Sequence, residues 1–265
     1  MMTRTTILEK IIAHKHREVE ACKLATPEQE LADIVQDMPP PKSLAKAIRG
    51  KDQLSVIAEM KRASPSAGLL RRNFEPVAIA RSYAKAGADA ISVLTDAHFF
   101  QGRLDHIRQI RPLVDMPILR KDFIIDRYQL LEARAAGADA VLLIVAALEE
   151  NVLAVLLRKT HGLGIDALVE VHTEKELDAA LRVGAEIIGI NNRNLESFEI
   201  DLATTENLVP KSPSGKVIVG ESGITTPDDL ARMRKSGVDA ALVGSHFMRE
   251  SNPGEALAAF KKMCG

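Results

Sequence analysis

Four short segments of this chain repeat one another, and they limit its fold more than any other feature. Each closes a helical pattern with a small turn and enters an apolar run. They are Lys85-Ala86-Gly87-Ala88-Asp89-Ala90, Ala135-Ala136-Gly137-Ala138-Asp139-Ala140, Arg182-Val183-Gly184-Ala185-Glu186 and Lys235-Ser236-Gly237-Val238-Asp239-Ala240. The glycine suits the left-handed residue that follows a helix, and the acid after it falls in a tight helix-to-strand turn. The segments recur at about fifty residues, roughly the length of two strand–helix units.

Each repeat predicts a strand after it: Ala90 to Leu94, Ala140 to Val145, Ile187 to Asn191 and Ala240 to Gly244. Four further apolar runs lie between: Val56 to Lys61, Pro117 to Asp122, Ala167 to His172 and Val217 to Glu221. Helical patterns separate them, over Pro76–Ala86, Leu104–Leu113, Asp126–Ala136, Leu148–His161, Glu174–Val183, Thr204–Val209, Pro227–Ser236 and Pro253–Met263. Regular alternation of strand and helix gives a parallel sheet. Eight units favour a closed (β/α)8 TIM barrel in the α/β class, and no Gly-x-Gly-x-x-Gly opens a helix to support a dinucleotide-binding sheet. A length of 265 residues suits one barrel domain, residues 51–265, with an N-terminal helical extension over 1–50.

That extension reads as amphipathic helix from about Thr5. Ile7, Ile11, Ile12 and Val19 recur at helical spacing, Thr6 and Glu9 form a candidate capping box, and Pro39-Pro40-Pro41 breaks the arm before a short helix over Ser43 to Ile48. The expected role is packing against the barrel.

Charge and composition narrow the function. Thirty-five basic against 36 acidic residues leave a net charge of −1, which excludes nucleic-acid binding by bulk charge. No apolar run reaches the ~20 residues of a membrane helix, and no signal-peptide core opens the chain. Cys22 and Cys264 make no disulfide framework, so a reducing cytoplasm is expected. No extra apolar helix stands out, so a monomer is expected.

In a (β/α)8 barrel the active site lies at the C-terminal ends of the strands. Strand 1 ends there with Glu59, Lys61 and Ser64-Pro65-Ser66, strand 2 with Thr95-Asp96, and strand 3 with Arg120-Lys121-Asp122-Phe123. Strand 4 ends in the apolar run from Leu142, strand 5 with Glu170 and His172, and strand 6 with Asn191-Asn192-Arg193-Asn194. Strand 7 ends with Glu221-Ser222-Gly223, and strand 8 carries Leu242 and ends with Gly244-Ser245. Glu59 and Lys61 are two apart, so they share one side of their strand. Two lysines, three glutamates and an asparagine at one mouth suit acid/base chemistry on an anionic substrate. The Ser-Gly and Gly-Ser loops let backbone N–H groups approach a phosphate, with Thr226-Pro227-x-Asp229 a capped helix start beyond. A single strand-end Lys or Glu is as often a structural ion pair as a catalyst. His172 has no second ligand at metal spacing and reads as structural or supporting, as do His98, His106, His161 and His246. Arg71-Arg72 reads as a solvated loop pair. These residues leave open an acid/base enzyme, a Schiff-base aldolase using Lys121, and a barrel that only binds a phosphorylated ligand.

Several stretches together resemble one family. They are Ile57-Ala58-Glu59-Met60-Lys61-Arg62-Ala63-Ser64-Pro65-Ser66, Ser92-Val93-Leu94-Thr95-Asp96 with Phe99-Phe100-Gln101-Gly102, and Leu119-Arg120-Lys121-Asp122-Phe123-Ile124. Leu168-Val169-Glu170-Val171-His172, Ile188-Gly189-Ile190-Asn191-Asn192-Arg193-Asn194-Leu195, Glu221-Ser222-Gly223-Ile224 and Val243-Gly244-Ser245 complete the set. The chain resembles the indole-3-glycerol-phosphate synthase family of tryptophan biosynthesis, in its monofunctional form, over nearly its whole length. The resemblance implies a carboxy-lyase that closes the ring of 1-(2-carboxyphenylamino)-1-deoxyribulose 5-phosphate with loss of CO2 and water, without metal or organic cofactor. It implies Lys121 as general acid, Glu170 as base, and Lys61 paired with Glu59 and facing the substrate's anionic groups or the leaving hydroxyl, with the acid role open between Lys121 and Lys61. Asn191 and Glu221 would orient these groups, and Arg193 would meet the substrate carboxylate. Ser64, Ser222, Gly223, Gly244 and Ser245 would hold phosphate, and Phe123 with Leu142 to Ile144 would wall the aromatic ring. His246 departs from the small or polar residue usual after Gly-Ser.

Overall fold

The four repeated glycines all take up the left-handed backbone that their position demands. Their φ angles are 78° at Gly87, 96° at Gly137, 88° at Gly184 and 87° at Gly237, a region where a Cβ is strained. The acid two residues on does a second job. Asp89 Oδ2 accepts the Val56 N–H at 2.9 Å, Asp139 Oδ2 accepts that of Ile118 at 2.9 Å, and Asp239 Oδ2 accepts that of Ile218 at 2.8 Å. Each such acid leads into one strand and caps the amide near the start of the strand before it. The repeat therefore fastens strands in pairs. Glu186, the glutamate of the set, is exposed, and its backbone carbonyl accepts the Val217 N–H at 2.9 Å.

The computed structural model describes residues 6–50, 52–195 and 197–264. The expected start of the arm at Thr5 lies outside the described residues. Eight strands follow the arm: β1 (Ser55–Met60), β2 (Ala90–Leu94), β3 (Ile118–Lys121), β4 (Ala140–Ile144), β5 (Asp166–Val171), β6 (Ile187–Asn191), β7 (Val217–Glu221) and β8 (Ala240–Val243). They close into one parallel barrel in chain order, with β1 pairing both β2 (Ile57 to Ala90) and β8 (Ser55 to Ala240). Every expected strand is present to within a residue at each end.

Alternate side chains divide the core into two layers. Ile57, Leu119, Leu142, Leu168, Val219 and Leu242 fill the barrel interior. Val56, Val93, Val141, Val169, Ile188 and Ala241 face outward against the helices. Those helices are α4 (Pro76–Lys85), α6 (Asp105–Ile110), α7 (Arg127–Ala136), α8 (Glu150–Gly162), α9 (Glu174–Arg182), α10 (Ala203–Leu208), α11 (Pro227–Ser236) and α13 (Pro253–Met263). The pattern expected over Leu104–Leu113 is α6 followed by a 3-10 turn at Arg111–Leu113, and that over Thr204–Val209 is α10 followed by a 3-10 turn at Val209–Lys211. Pro112 and Pro210 begin tighter turns that a longer helix could not absorb. Three small elements carry no periodicity and were not expected: α5 (Ala97–Phe100), α12 (Ser245–Arg249), and a hairpin pairing Ala63–Ser64 with Gly68–Leu69.

The arm forms α1 (Ile7–Ala25), α2 (Glu28–Gln36) and α3 (Leu44–Ile48). The Thr6–Glu9 capping box is made. Helix α3 plugs the bottom of the barrel with Leu44 and Ile48, both fully buried. Asp139 Oδ1 accepts the Lys42 N–H at 2.8 Å, and Asp166 Oδ2 accepts from Ser43 Oγ and the Ala45 N–H, both at 3.0 Å. Helix α1 buries a stripe of Ile11, Lys15 and Val19. A lysine in that stripe is unexpected. Its ammonium lies 2.9 Å from Asp122, 3.0 Å from Asp96 and 2.8 Å from Glu18, so the buried charge is matched. No helix of the described residues is long and apolar enough to cross a membrane.

Asp139 serves three donors, the Lys42 and Ile118 amides and the Arg111 guanidinium. Asp139→Ala is expected to cost about 2–4 kcal/mol, since buried donors lose a charged acceptor. Glu186→Ala, at the exposed position of the same repeat, is expected to change stability by less than about 0.5 kcal/mol. Urea unfolding of the two variants checks this contrast.

Candidate active site

The C-terminal ends of the strands surround a cavity of about 690 Å³. Its floor is charged because inward-facing residues at the strand ends are charged. Glu59 of β1, Lys121 of β3, Glu170 of β5 and Glu221 of β7 come from alternate strands, which place their inward side chains at one level of such a barrel. Lys121 Nζ donates to Glu221 Oε2 at 2.7 Å and to Glu170 Oε2 at 3.1 Å. Space for this cluster comes from glycines. A Cβ on Gly189 of β6 would collide with the Glu221 carboxylate, and one on Gly244 would collide with that of Glu59.

The surroundings give these groups different proton affinities. Burial opposes the charge on Lys121, but Glu221, Glu170 and Glu59 outweigh it and hold the ammonium above the ordinary lysine range. Burial also raises the carboxyl of Glu170, yet Lys121, His172 and a hydrogen bond from Asn191 bring it below the usual glutamate value. Burial drives the Glu221 carboxyl upward; Lys121 offsets part of that while Glu170 adds to it, and the carboxyl is pushed up to about 7. The site thus holds a firm cation, a carboxylate that stays ionised, and a carboxyl poised near neutrality.

Glu59 and Lys61 form the pair that their spacing suggested, at 2.6 Å. Beyond β1, Ser64 Oγ accepts the Ala67 N–H at 3.2 Å in the short hairpin. Beyond β7, Ser222 adopts a left-handed backbone, φ 65°, and Gly223 follows at 80°. A non-glycine residue there is strained. Ser222 Oγ donates to Asn191 Oδ1 at 2.9 Å, and the Arg193 N–H reaches the same oxygen at 3.0 Å. Arg193 Nη1 donates to the Phe198 carbonyl at 3.2 Å, which holds its guanidinium at the rim. Since β7, β8 and β1 are neighbours in the sheet, Ser64, Ser222, Gly223, Gly244 and Ser245 gather on one side of the mouth. Phe123, just past β3, and Leu142 of β4 lie on the other side, while Leu242 of β8 lines the cavity between β7 and β1. The residues given catalytic or binding roles from the sequence line this one cavity except Leu143, which packs outward against the helices, while Thr95, Asp96, Arg120, His172, Asn192 and Asn194, also at the strand ends, do not line it.

Other lining residues were not foreseen. Ile7, Leu8 and Ile11 of α1 roof the mouth, so the arm both packs and helps to enclose the site. Leu195, Phe198 and Ile200 form a second apolar edge after β6, with Phe198 left-handed at φ 61°. Nothing in a single sequence marks such loop residues. Arg71 corrects the expectation of a solvated pair: its guanidinium donates to the Glu250 carbonyl at 2.8 Å and the Ser251 carbonyl at 3.1 Å, tying the loop after β1 to the end of α12. Arg72 is exposed. His246 lines the cavity and packs against Phe247 and Phe260, with ring centroids 5.5 and 6.1 Å away.

Known proteins share both the fold and the sequence. Among solved structures, the thiamine phosphate pyrophosphorylase of Pyrococcus furiosus superposes with a TM-score of 0.62 at 19% identity, over 80% of this chain and 95% of that one. The orotidine 5'-phosphate decarboxylase of Pyrococcus horikoshii gives 0.60 at 16% identity, over 79% of this chain and 98% of that one. Similarity at that level speaks to the barrel alone. Much nearer in sequence are the indole-3-glycerol phosphate synthases of Roseiflexus sp., 51% identical over 90% of this chain and 92% of that protein, and of Bordetella pertussis, 51% identical over 95% and 97%. The family model described as indole-3-glycerol phosphate synthase matches residues 8–260. With that match across almost the entire barrel and arm, the chain belongs to the indole-3-glycerol phosphate synthase family.

Proposed function

We propose that the chain closes the indole ring of 1-(2-carboxyphenylamino)-1-deoxyribulose 5-phosphate with Lys121 as first proton donor and Glu170 as base. The observation that carries this assignment is the Lys121 ammonium, held between Glu170 and Glu221 on the cavity floor. The ring carbon that bears the carboxylate attacks the ketone, and negative charge builds on the carbonyl oxygen. A buried ammonium stabilises that charge and delivers a proton, leaving a hydroxyl. CO2 then departs, and its bonding pair restores the aromatic ring. The hydroxyl leaves as water with a second proton, and Glu170 removes a proton from the neighbouring carbon to form the indole double bond. Two protons enter on oxygen and one returns from carbon, so one comes from solvent in each turnover.

The two sides of the mouth suit the two ends of this molecule. The phosphate is assigned to Ser64, Ser222, Gly223, Gly244 and Ser245, where small residues leave backbone N–H groups accessible. The aromatic ring is assigned to Phe123, Leu142 and Ile144, and its carboxylate to Arg193, with Leu242 a further apolar contact to the substrate. Lys61, paired with Glu59, faces the substrate between them. Asn191 orients Glu170, and Glu221 holds Lys121 while its own carboxyl can return a proton. On the same reading the chain is one domain, with residues 1–50 as extension and 51–265 as barrel. It works as a monomer in the cytoplasm. Its two cysteines are free, and large exposed apolar side chains such as Leu24, Ile34 and Val155 are scattered over α1, α2 and α8.

Indole formation can be followed by fluorescence, since the chain contains no Trp. Lys121→Ala and Glu170→Gln are each expected to lower kcat by about 10²–10⁴ while binding of a phosphate-bearing analogue persists. Wild-type turnover in either variant contradicts the assignment. Borohydride added with substrate is expected to leave Lys121 unmodified, and a covalent adduct there favours the aldolase reading instead.

Glu221 gives a pH prediction. Its carboxyl is raised in the folded state, so its contribution to stability is complete below the ordinary glutamate pKa and is lost as pH rises through about 7. The melting temperature is expected to fall between pH 5 and pH 8 more steeply in wild type than in Glu221→Gln. Equal slopes in a thermal-melt series exclude the raised carboxyl.

A further inference from the structure

His172 stands two residues beyond Glu170, just past the end of β5, and is not among the residues that line the cavity. It stands behind the cavity wall, and its ring is built into the site from there. Nε2 lies 3.5 Å from Glu170 Oε1, the oxygen that Lys121 does not use. Nε2 is buried, and among the described residues it has no hydrogen-bond partner. Nδ1 lies 3.1 Å from Glu176 Oε2, and that same oxygen accepts the His172 backbone N–H at 2.8 Å. Glu176 sits in the first turn of α9, and Thr173 Oγ1 donates to its other oxygen at 3.1 Å. The helix start therefore fixes the ring, and the ring aims its free nitrogen at Glu170.

A purely structural role leaves part of this geometry without a purpose. The backbone bond to Glu176 and the Thr173 cap already close the turn between β5 and α9. The orientation of Nε2 adds nothing to that turn. Around Glu170 the facing groups are Lys121 from β3, Asn191 from β6, Glu221 from β7 and His172 from its own strand, while β4 brings only apolar side chains. Around His172 they are Glu176 from α9, Glu170 and Glu221. Burial disfavours a charged imidazole, but these three carboxylates outweigh it and raise its proton affinity above the ordinary histidine value.

We infer that His172 is a positioning residue for ring closure: from outside the cavity its imidazolium holds the outer oxygen of Glu170 and keeps that carboxylate ionised and turned toward the substrate. This rests on the reading of Glu170 as the base. Without the imidazolium, Glu170 keeps one cationic neighbour where it had two and remains buried beside Glu221. It then takes up a proton at higher pH, and the enzyme loses rate in acid and recovers it in base.

The test compares pH–rate profiles of wild type and His172→Gln, each also in a Glu170→Gln background, using single turnovers where rates are low. His172→Gln is expected to move the acid limb of kcat upward by about one pH unit, a loss that approaches tenfold at pH values below the wild-type limb and shrinks to less than about twofold near pH 8.5. KM is expected to stay within about twofold, and His172→Gln is expected to add no further loss once Glu170 is Gln. Glu176→Gln leaves the ring in place but removes a carboxylate that keeps it charged, so it is expected to shift the limb in the same direction by less. It carries the test if His172→Gln does not fold. A loss equal at every pH, a loss confined to KM, or the same loss in the Glu170→Gln background overturns the inference. If Glu170→Gln itself turns over like wild type, the base assignment falls and His172 falls with it. If Glu170→Gln is inactive while neither other variant shifts the limb, only the role of His172 falls.

Discussion

One ammonium between two carboxylates is the interaction on which the rest of this structure depends. Lys121, Glu170 and Glu221 are all nearly removed from water. Stripping water from a charged group costs several kcal/mol, and mutual attraction offsets that only when the geometry is tight. A barrel supplies such geometry because β3, β5 and β7 are separate strands of one closed sheet and cannot move apart independently. Gly189 belongs to the same device, since a side chain there would occupy the place of the Glu221 carboxylate. The cluster is electrostatically lopsided as a result. Two acids share one cation at the floor, and Glu59 brings a third acid with its own partner, Lys61. An odd proton in such a group moves easily, which is what a sequence of protonations and one deprotonation requires.

The scaffold keeps stability and chemistry at opposite ends. At the bottom, the repeated glycine turns and their aspartates fasten neighbouring strands, and α3 fills the opening with Leu44 and Ile48. At the top, the same strands end in charge. Helix α1 joins the two concerns. Ile7, Leu8 and Ile11 roof the cavity, and one turn further on Lys15 is buried against Asp96 and Asp122. Asp96 caps α5, which carries Phe100 into the cavity wall, and Asp122 follows Lys121 directly. Asp122 is held well below the ordinary aspartate value: burial opposes this, but Arg120 and Lys15 prevail. Its bond to the arm therefore survives well into acid.

The barrel was legible because its signals are local. Apolar runs of five or six residues, four of them entered through a Gly-x-Asp or Gly-x-Glu turn, identify strands, and two-residue spacing puts Glu59 and Lys61 on one side. Strand ends in turn collect the charged residues at one mouth. Division of labour among them was less legible, and the parts given to Lys121, Glu170 and Arg193 came from resemblance to a family. What periodicity could not reveal depends on distant partners. Lys15 sits in an apolar stripe and reads as an exception until Asp96 and Asp122 are placed beneath it. Arg71 reads as a surface residue until the carbonyls of Glu250 and Ser251 reach it. Phe198 carries no sign of the left-handed backbone that turns it into the cavity. The helices α5 and α12, four and five residues long, are too short to show any period.

The state of Lys121 is the most direct test of the central claim, that two carboxylates hold a full cation beneath the substrate. Nitrogen-15 NMR of lysine-labelled protein, with Lys121 assigned by loss of its signal in Lys121→Arg, reads the charge on that amine as pH is raised. The expected result is an Nζ signal that stays in its charged form up to at least about pH 11, beyond the ordinary lysine value. A titration at or below about pH 10 would mean that burial prevails over Glu221 and Glu170, and would contradict the claim.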